Sequence, residues 1–363
     1  MNTNSLVVGG GIAGIQAALS IADAGYKVYL VEKDPRIGGH LAEHGKVFPT
    51  LDSALDILTP EMTRVESHPN IGLMISSEIE EVSGHIGNFK VKIREKAHDK
   101  VIEVSVGSVI LATGYDVFDP SVIYLYGYQK YDNIFTSVEF ERMCSVTGST
   151  GGQILLKNGM PPESVAIVHC VGSRDKNYHE YCSQVCCMYA LKYSHLIMEK
   201  THAQVYQMYI DMRCVGEGYE EFYNRRSEDG VNFIRGKVAG VTDHALTEEE
   251  KAKLIVCVED TLLGSILRVP VDMIILCVAI EPRADAEKIA TLFSLSRRED
   301  GFFMERNARL EPVATPTDGI FIAGCCHGPK DIPHTVAQAK AAASEVLILL
   351  SQGKGLSQRE EVS

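Results

Sequence analysis

Between His169 and Lys200 the chain reads HCVGSRDKNYHEYCSQVCCMYALKYSHLIMEK, and this stretch holds four of the ten cysteines. Cys170, Cys182, Cys186 and Cys187 follow the spacing C-x11-C-x3-C-C. Four thiolates are the ligand set of an iron–sulfur cluster, and sulfur-only ligation suits structural zinc as well. A catalytic dithiol, or thiols that simply fill a core, would use the same residues. Spacing alone does not choose among these. A helical pattern from about Tyr181 to Lys200 puts Cys182 and Cys186 on one helix face, with Cys187 about 100° further round. Cys170 ends an apolar strand, SVAIVHCV. A strand C-terminus and a helix start therefore converge, which is where open α/β sheets place ligands.

A second chemical signal opens the chain. SLVV leads into Gly9-Gly10-Gly11-Ile12-Ala13-Gly14, a helical run and the strand KVYLVEK. Gly9 permits the tight turn, Gly11 lets backbone approach a pyrophosphate, and Gly14 lets the helix pack close to the sheet. The helix start at Ile12 and Ala13 offers unpaired N–H groups to phosphate. Glu32 ends the second strand, 18 residues beyond Gly14, where a carboxylate can accept from ribose hydroxyls. Lys33 flanks it, and the turn Gly38-Gly39-His40 is another place where backbone can lie against a cofactor. Further on, SVIL runs into the turn Ala112-Thr113-Gly114, and the strand GIFIAG into Gly324. Lys330, Asp331 and Ile332 then open a long Ala-rich helix whose N-terminus can stabilise negative charge on a ligand. Cys325-Cys326 reads as packed thiols, because vicinal cysteines form strained disulfides.

The elements that must position these residues read as α/β throughout. A chain of 363 residues suggests two domains. Residues 70–105 alternate like antiparallel strands, and 116–163 are loop-rich. The expected division is residues 1–125 with 283–350 as one discontinuous dinucleotide-binding domain, 126–282 as an inserted second domain, and 351–363 as a polar, flexible tail. The second domain should start with another glycine fingerprint after its first strand. The chain has His169-Cys170-Val171-Gly172-Ser173 instead. A net charge of −13 argues against nucleic-acid binding. No signal-peptide pattern and no apolar run of membrane-spanning length are read, so the cysteines should be kept reduced, giving a cytoplasmic expectation.

The motifs VVGGGIAGIQAAL, VEKDPRIGGHLA, ILTPEM, HCVGSRD…YCSQVCCMYALK, MRCVGEGYEEFY and GCCHGPKDIPHTVAQA together resemble the A-type component of heterodisulfide reductase over nearly the whole chain. The resemblance implies a thioredoxin-reductase-like flavoprotein with two dinucleotide-binding domains, FAD in the first and a [4Fe–4S] cluster in the second, held by Cys170, Cys182, Cys186 and Cys187. It implies that Lys192 lies near the flavin's reactive nitrogen, and that Lys330 and Asp331 contact the flavin. It further implies an electron-transfer subunit working with B and C type iron–sulfur subunits, and a homodimer. The family's accessory ferredoxin-like runs of C-x-x-C are missing, and Ser53 and Asp56 stand where relatives often have cysteines. This resembles the shortened forms of a sulfur-oxidising complex, with quinone-interacting and benzoyl-coenzyme A reductase complexes as alternatives. A self-contained pyridine-nucleotide disulfide oxidoreductase and an assembly protein that keeps FAD for structure are the rivals. The absent second fingerprint argues against the former.

Overall fold

The computed structural model describes residues 1–360, with side chains to Gln352. The chain divides into two units. Met1–Ala42, Leu55–Asp116 and the segment from Glu281 onward form the first, and Glu43–Ala54 with Val117–Ile280 form the second.

The first unit contains β1 (Ser5–Val8), α1 (Ile12–Asp23), β2 (Val28–Val31), nearly all of α2 (Ala54–Ser67), β3 (Ile71–Met74), β4 (Ser77–His85), β5 (Asn88–Glu95), β6 (Lys100–Val106) and β7 (Ser108–Leu111). After the return come α6 (Ala286–Phe293), β18 (Ile320–Ile322) and α7 (Ile332–Glu360). The short strands β8 (Asp116–Val117) and β17 (Ile280–Glu281) mark the exit and the return. A parallel sheet runs in the order β18-β7-β1-β2-β3. Its central strands β1 and β7 are buried along their whole length, as parallel strands covered on both faces must be. The strands β4-β5-β6 form an antiparallel meander whose inward positions, Val91 and Ile93 among them, are fully buried.

The second unit contains β9 (Ile134–Thr136), α3 (Ser137–Cys144), β10 (Ser164–Val171), α4 (Cys186–Thr201), β11 (Gln204–Tyr209), α5 (Tyr219–Glu228), β12 (Asn232–Arg235), β13 (Val238–Thr242), β14 (Leu254–Asp260), β15 (Ser265–Val271) and β16 (Met273–Val278). Its parallel sheet has the order β12-β11-β10-β16-β9, and β13-β14-β15 is again an antiparallel meander. The two units share one plan. β10 holds the central place of β1, β11 and β12 follow as β2 and β3 do, and β16 and β9 stand where β7 and β18 stand.

Four sequence expectations change. α4 begins at Cys186, not near Tyr181, because Gln184 takes the left-handed backbone (φ 60°) and breaks the helical run; Cys182 therefore lies in the loop and shares no helix face with Cys186. The loop-rich stretch contains β9 and α3, which complete the second sheet. The division falls at 116/117 and 280/281 rather than 125/126 and 282/283, since Phe118 and Tyr126 pack with Val168, Val171 and Val278 in the second core. The excursion Glu43–Ala54, which carries no compositional mark, belongs to that unit too. Of the tail expected over 351–363, α7 extends to Glu360 and residues 361–363 lie outside the described residues. Among the described residues no helix is long and apolar enough to cross a membrane.

Candidate functional site

In the first unit the glycines act through what a side chain would strike. Gly9 has φ 107°, and a Cβ there would lie 2.3 Å from the Ala112 carbonyl oxygen. A Cβ on Gly14 would lie 1.8 Å from the Gly9 oxygen. Both are demanded by packing. Gly11 is different: a Cβ there would meet nothing closer than Gly39 Cα at 4.0 Å. Gly11 is also the N-cap of α1 and supplies no capping side chain for the first-turn N–H groups at Ile12 and Ala13. Gly38 pairs with Gly11, donating its N–H to Gly10 O at 2.7 Å, and Gly39 brings the second turn against the first. Glu32 is buried and accepts from Gly10 N at 2.6 Å and Asp34 N at 2.8 Å. Burial raises its pKa against those two hydrogen bonds. Its two oxygens retain lone pairs for hydroxyl donors. Lys33 pairs with Asp285 at 3.4 Å, and the His40 ring stacks on Tyr115 at 4.1 Å. Ala112 donates to Val8 O, and at Gly114 (φ 79°) a Cβ would again meet nothing within 4 Å.

The C-terminal turn is held internally. Lys330 Nζ donates to Gly324 O at 2.7 Å and Gly328 O at 2.6 Å, and burial lowers its pKa. Asp331 caps α7 by accepting from His334 N at 2.9 Å and contacts His334 Nδ1 at 2.6 Å; Ile332 follows as the first helical residue. Two of the three Lys330 protons are thus engaged within the turn. Gly324 N donates to Gln338 Oε1 at 2.9 Å, and Gln338 Nε2 lies 3.0 Å from His327 Nδ1. Cys325 and Cys326 are buried and unpaired as a disulfide, with pKa values raised by burial, the latter to about 11.

In the second unit the cysteine loop leaves β10 where a glycine turn leaves β1. The β10–β16 register breaks between Val168 and Val171, and Cys170 sits in the left-handed region at φ 56°. Gly172 (φ 82°), Arg174 (φ 54°) and Gln184 (φ 60°) follow in the same region. For a residue with a side chain this costs about 1–2 kcal/mol, and such strain clusters where a ligand is gripped. The structure brings the Cys170, Cys186 and Cys187 thiols together in one buried cluster. The adjoining Cys186 thiol lowers Cys187 to about 4 and Cys170 to about 7, against burial, while Cys186 itself is raised. Cys182 stays apart in the loop, half-buried, and accepts the Gln184 N–H at 3.3 Å. Among the described residues no three His, Cys, Asp or Glu side chains are arranged to hold a metal ion.

The polar surroundings of these thiols are short of partners. His169 Nδ1, Ser173 Oγ and Arg174 Nη1 are buried without a hydrogen-bond partner. Gln207 donates to Ala190 O and Ser194 Oγ, so its oxygen accepts from His169 Nε2 at 2.9 Å. The His169 ring lies near enough to Cys187 to favour its thiolate. Arg174 pairs with Asp211 at 2.7 Å through Nη2 and feels the charges of Cys170 and Cys182. α4 also begins without a side-chain cap, leaving N–H groups at Cys186 and Cys187. Unpaired buried donors, a helix start and a loop of left-handed residues suit an anionic thiolate-bound centre. The residue types are those that ligate iron–sulfur clusters, while Cys182 stands apart from the other three thiols.

Lys192 is buried. Its Nζ donates to Glu141 Oε1 at 2.8 Å, Glu141 Oε2 at 2.7 Å and Lys46 O at 2.8 Å. Glu141 also accepts from Gly45 N at 3.1 Å, with His44 Nδ1 at 3.5 Å. Burial would raise the Glu141 pKa, but Lys192 and His44 outweigh it and hold the carboxyl well below the ordinary range. Sequence reasoning missed Glu141 and His44. A capping box points to the helix that carries Glu141: Thr136 Oγ1 accepts from Glu139 N, and Glu139 accepts from Thr136 N. The TSVE sequence is the usual signature. Thr136→Ala should lower stability by about 1 kcal/mol, read as a shifted denaturation midpoint.

Residues 5–112 match the family model described as FAD dependent oxidoreductase, which agrees with the open cradle at Gly11. Two thioredoxin reductases share the fold: that of Lactococcus lactis (TM-score 0.63, 16% identity, 96% of this chain and 99% of that one) and that of T. acidophilum (TM-score 0.62, 16% identity, 97% and 99%). The fold is therefore that of a thioredoxin-reductase-like flavoprotein with two dinucleotide-binding-type units. The A-type iron-sulfur component of the CoB–CoM heterodisulfide reductase of Methanocaldococcus jannaschii is 40% identical over 98% of this chain and 65% of its own length. Its counterpart in Methanopyrus kandleri is 39% identical over 96% and 65%. The A-type component of the H2:CoB-CoM heterodisulfide,ferredoxin reductase of Methanothermobacter marburgensis is 38% identical over 98% and 65%. The chain thus spans about two-thirds of the length of these relatives, and alignments of 432 positions against 363 residues show that they carry extra residues inside the matched span. Along nearly its whole length, this chain is a homologue of the A-type components of heterodisulfide reductases.

Proposed function

We propose that this chain is the FAD and [4Fe–4S] electron-transfer subunit of a heterodisulfide-reductase-like complex. The observation that carries the reading is positional. β10 is the topological counterpart of β1, yet its exit carries Cys170 and leads to Cys182, Cys186 and Cys187 in place of a glycine cradle. A pyridine-nucleotide phosphate has no such cradle there, while three buried unpartnered polar atoms accompany the thiols. The relatives' names, some of which include the term "iron-sulfur", agree.

FAD would be held by Gly9, Gly11, Ile12, Ala13, Gly14, Glu32, Lys33, Gly39, His40, Ala112, Thr113, Gly114, Gly324, Lys330, Asp331 and Ile332. The flavin supplies two-electron chemistry and the cluster one-electron chemistry. Within that scheme the residues of this chain have distinct tasks. The α1 N-terminus and Gly11 receive pyrophosphate, and Glu32 accepts from the ribose. Lys330 keeps the Gly324 turn closed. Lys192 is the catalytic candidate through the resemblance alone, its ammonium being held by Glu141 and Lys46 O. His169, Ser173 and Arg174 supply donors around the thiolates. The wider setting we propose is dissimilatory sulfur metabolism, with B and C type iron–sulfur subunits as partners and a homodimeric core.

Anaerobic purification with iron, zinc and flavin assays tests the cofactors. The expected result is one FAD and about four irons per chain, with iron lost in Cys170→Ser and Cys187→Ser while FAD is retained. Zinc at one per chain, or a metal-free yellow protein, would sink the cluster assignment. Rapid stoichiometric flavin bleaching by NADH would restore the pyridine-nucleotide reductase. Co-purifying proteins identify the complex.

A further inference from the structure

The turn that follows β18 is held by a chain of hydrogen bonds whose direction is fixed at every link. Gly324 has φ 79°, and a Cβ there would lie 2.9 Å from Ala13 Cβ and 3.4 Å from Thr335 Cγ2. The turn therefore packs against the first turn of α1, the helix start proposed above to receive pyrophosphate. Side chains hold both peptide groups of Gly324: its oxygen accepts from Lys330 Nζ, and its N–H donates to Gln338 Oε1. The Gln338 amide has one orientation. Its oxygen is claimed by the Gly324 N–H, and its Nε2 faces Pro312 O at 3.5 Å, an atom that can only accept.

The orientation of Gln338 dictates the state of His327. Gln338 Nε2 donates to His327 Nδ1 at 3.0 Å, so that ring nitrogen carries no proton. The proton of the neutral ring is on Nε2, which donates to Glu305 Oε2 at 3.0 Å. Burial and the Lys330 charge lower the His327 pKa, Arg298 adds to them, and Glu305 opposes them. Arg298 also pairs with Asp300 and lies 3.7 Å from Glu305. Burial raises the Cys325 and Cys326 thiols, which stay protonated. On α7, Asp331 and His334 pair with each other one turn before Gln338. A second proton on His327 has only Nδ1 to occupy, where it meets the Gln338 N–H. Rotating the amide relieves that clash but sets nitrogen against the Gly324 N–H and oxygen against Pro312 O. The buried Gly324 N–H then has no acceptor, which a buried donor tolerates poorly.

We infer that His327 is a positioning residue for FAD: only its neutral form, protonated on Nε2, lets Gln338 hold the Gly324 turn against α1, so a proton taken up at His327 loosens the cofactor. This rests on the reading of the Gly324 turn as part of the FAD site. His327 acts through Gln338 and the Gly324 N–H. Because binding then requires a deprotonated group, the dissociation constant rises as pH falls below the ordinary histidine range, about 6.5, by at most about tenfold per pH unit for one proton.

The test is fluorescence titration of the full-length apoprotein with FAD at constant ionic strength, from about pH 7.5 down to about pH 5. The wild-type dissociation constant should hold steady at the upper end and climb towards that tenfold-per-unit slope at the lower end. Glu32 also takes up protons in acid, so two variants isolate His327. In His327→Asn the side-chain oxygen accepts from Gln338 Nε2 and does not titrate, and the acid rise should flatten. In Gln338→Glu one carboxylate oxygen still accepts from the Gly324 N–H and the other accepts from a doubly protonated His327, so the rise should flatten here too. The second variant decides the matter should the first fail to fold. A wild-type affinity that is flat across the range overturns the inference, as does a folded variant that keeps the wild-type acid rise. Wild-type protein that binds no FAD at any pH refutes the FAD site itself, an outcome distinct from a flat profile.

Discussion

Glu141→Gln should destabilise the protein by about 3–5 kcal/mol, the usual cost of stranding one member of a buried ion pair. Glu141 and Lys192 are each 3% exposed, and the ammonium's three contacts are the two carboxylate oxygens and Lys46 O. Glutamine retains the shape and loses the charge, leaving the Lys192 ammonium buried and unneutralised. The double variant Glu141→Gln/Lys192→Met should recover most of the loss, because replacing both members removes the stranded charge. Urea unfolding of FAD-replete protein measures both. A single variant within about 1 kcal/mol of wild type would show that the pair contributes little. The pH dependence follows from the carboxylate. Its folded pKa lies below its unfolded value, so the unfolded chain binds more protons in acid. The pair's full contribution is present above the unfolded glutamate pKa, about 4.3, and is lost progressively as pH falls below that. Glu141→Gln should flatten this acid limb.

Two alanine substitutions in the same glycine turn should separate folding from cofactor binding. Gly14→Ala places a methyl 1.8 Å from the Gly9 carbonyl oxygen, a backbone atom. The turn or α1 must move, and the expected loss is about 3 kcal/mol or more. Gly11→Ala meets no protein atom closer than 4.0 Å, and its backbone (φ −74°) is one that alanine adopts freely. The apoprotein should melt within about 0.5 kcal/mol of wild type, or slightly above it. FAD should bind at least about tenfold more weakly, roughly 1.4 kcal/mol, because the methyl occupies the space a pyrophosphate needs. Fluorescence titration of apoprotein with FAD reads the second effect and thermal melting the first. Full FAD affinity in Gly11→Ala would remove the cradle from this turn.

What could be read in the sequence was local. Glycine turns, apolar strands and the cysteine-rich loop each declare themselves within a few residues, and one α/β plan used twice followed from their order. The start of α4 was misjudged because periodicity runs on through Tyr181 and Cys182, whereas a single left-handed residue, Gln184, decides where the helix begins. Glu141 was invisible for another reason. A charged residue in a polar stretch looks solvated, and its partner lies 51 positions away. Only the pairing of β9 with β16 brings α3 into place, and that pairing leaves no trace in three residues, Ile134–Thr136.

The excursion Glu43–Ala54 has a consequence for anyone who would cut this protein into pieces. The second unit is encoded in two separated stretches, one of them only twelve residues long and lying between parts of the first. A fragment starting at Val117 and ending at Ile280 would look like a whole domain by length. It would lack Gly45 N–H, Lys46 O and His44, the groups that close around Glu141 and Lys192. Such a fragment is not an autonomous module. A stand-alone version of the cysteine-bearing unit requires those twelve residues to be grafted back, and recombination that exchanges second units between homologues has to carry two crossover segments together.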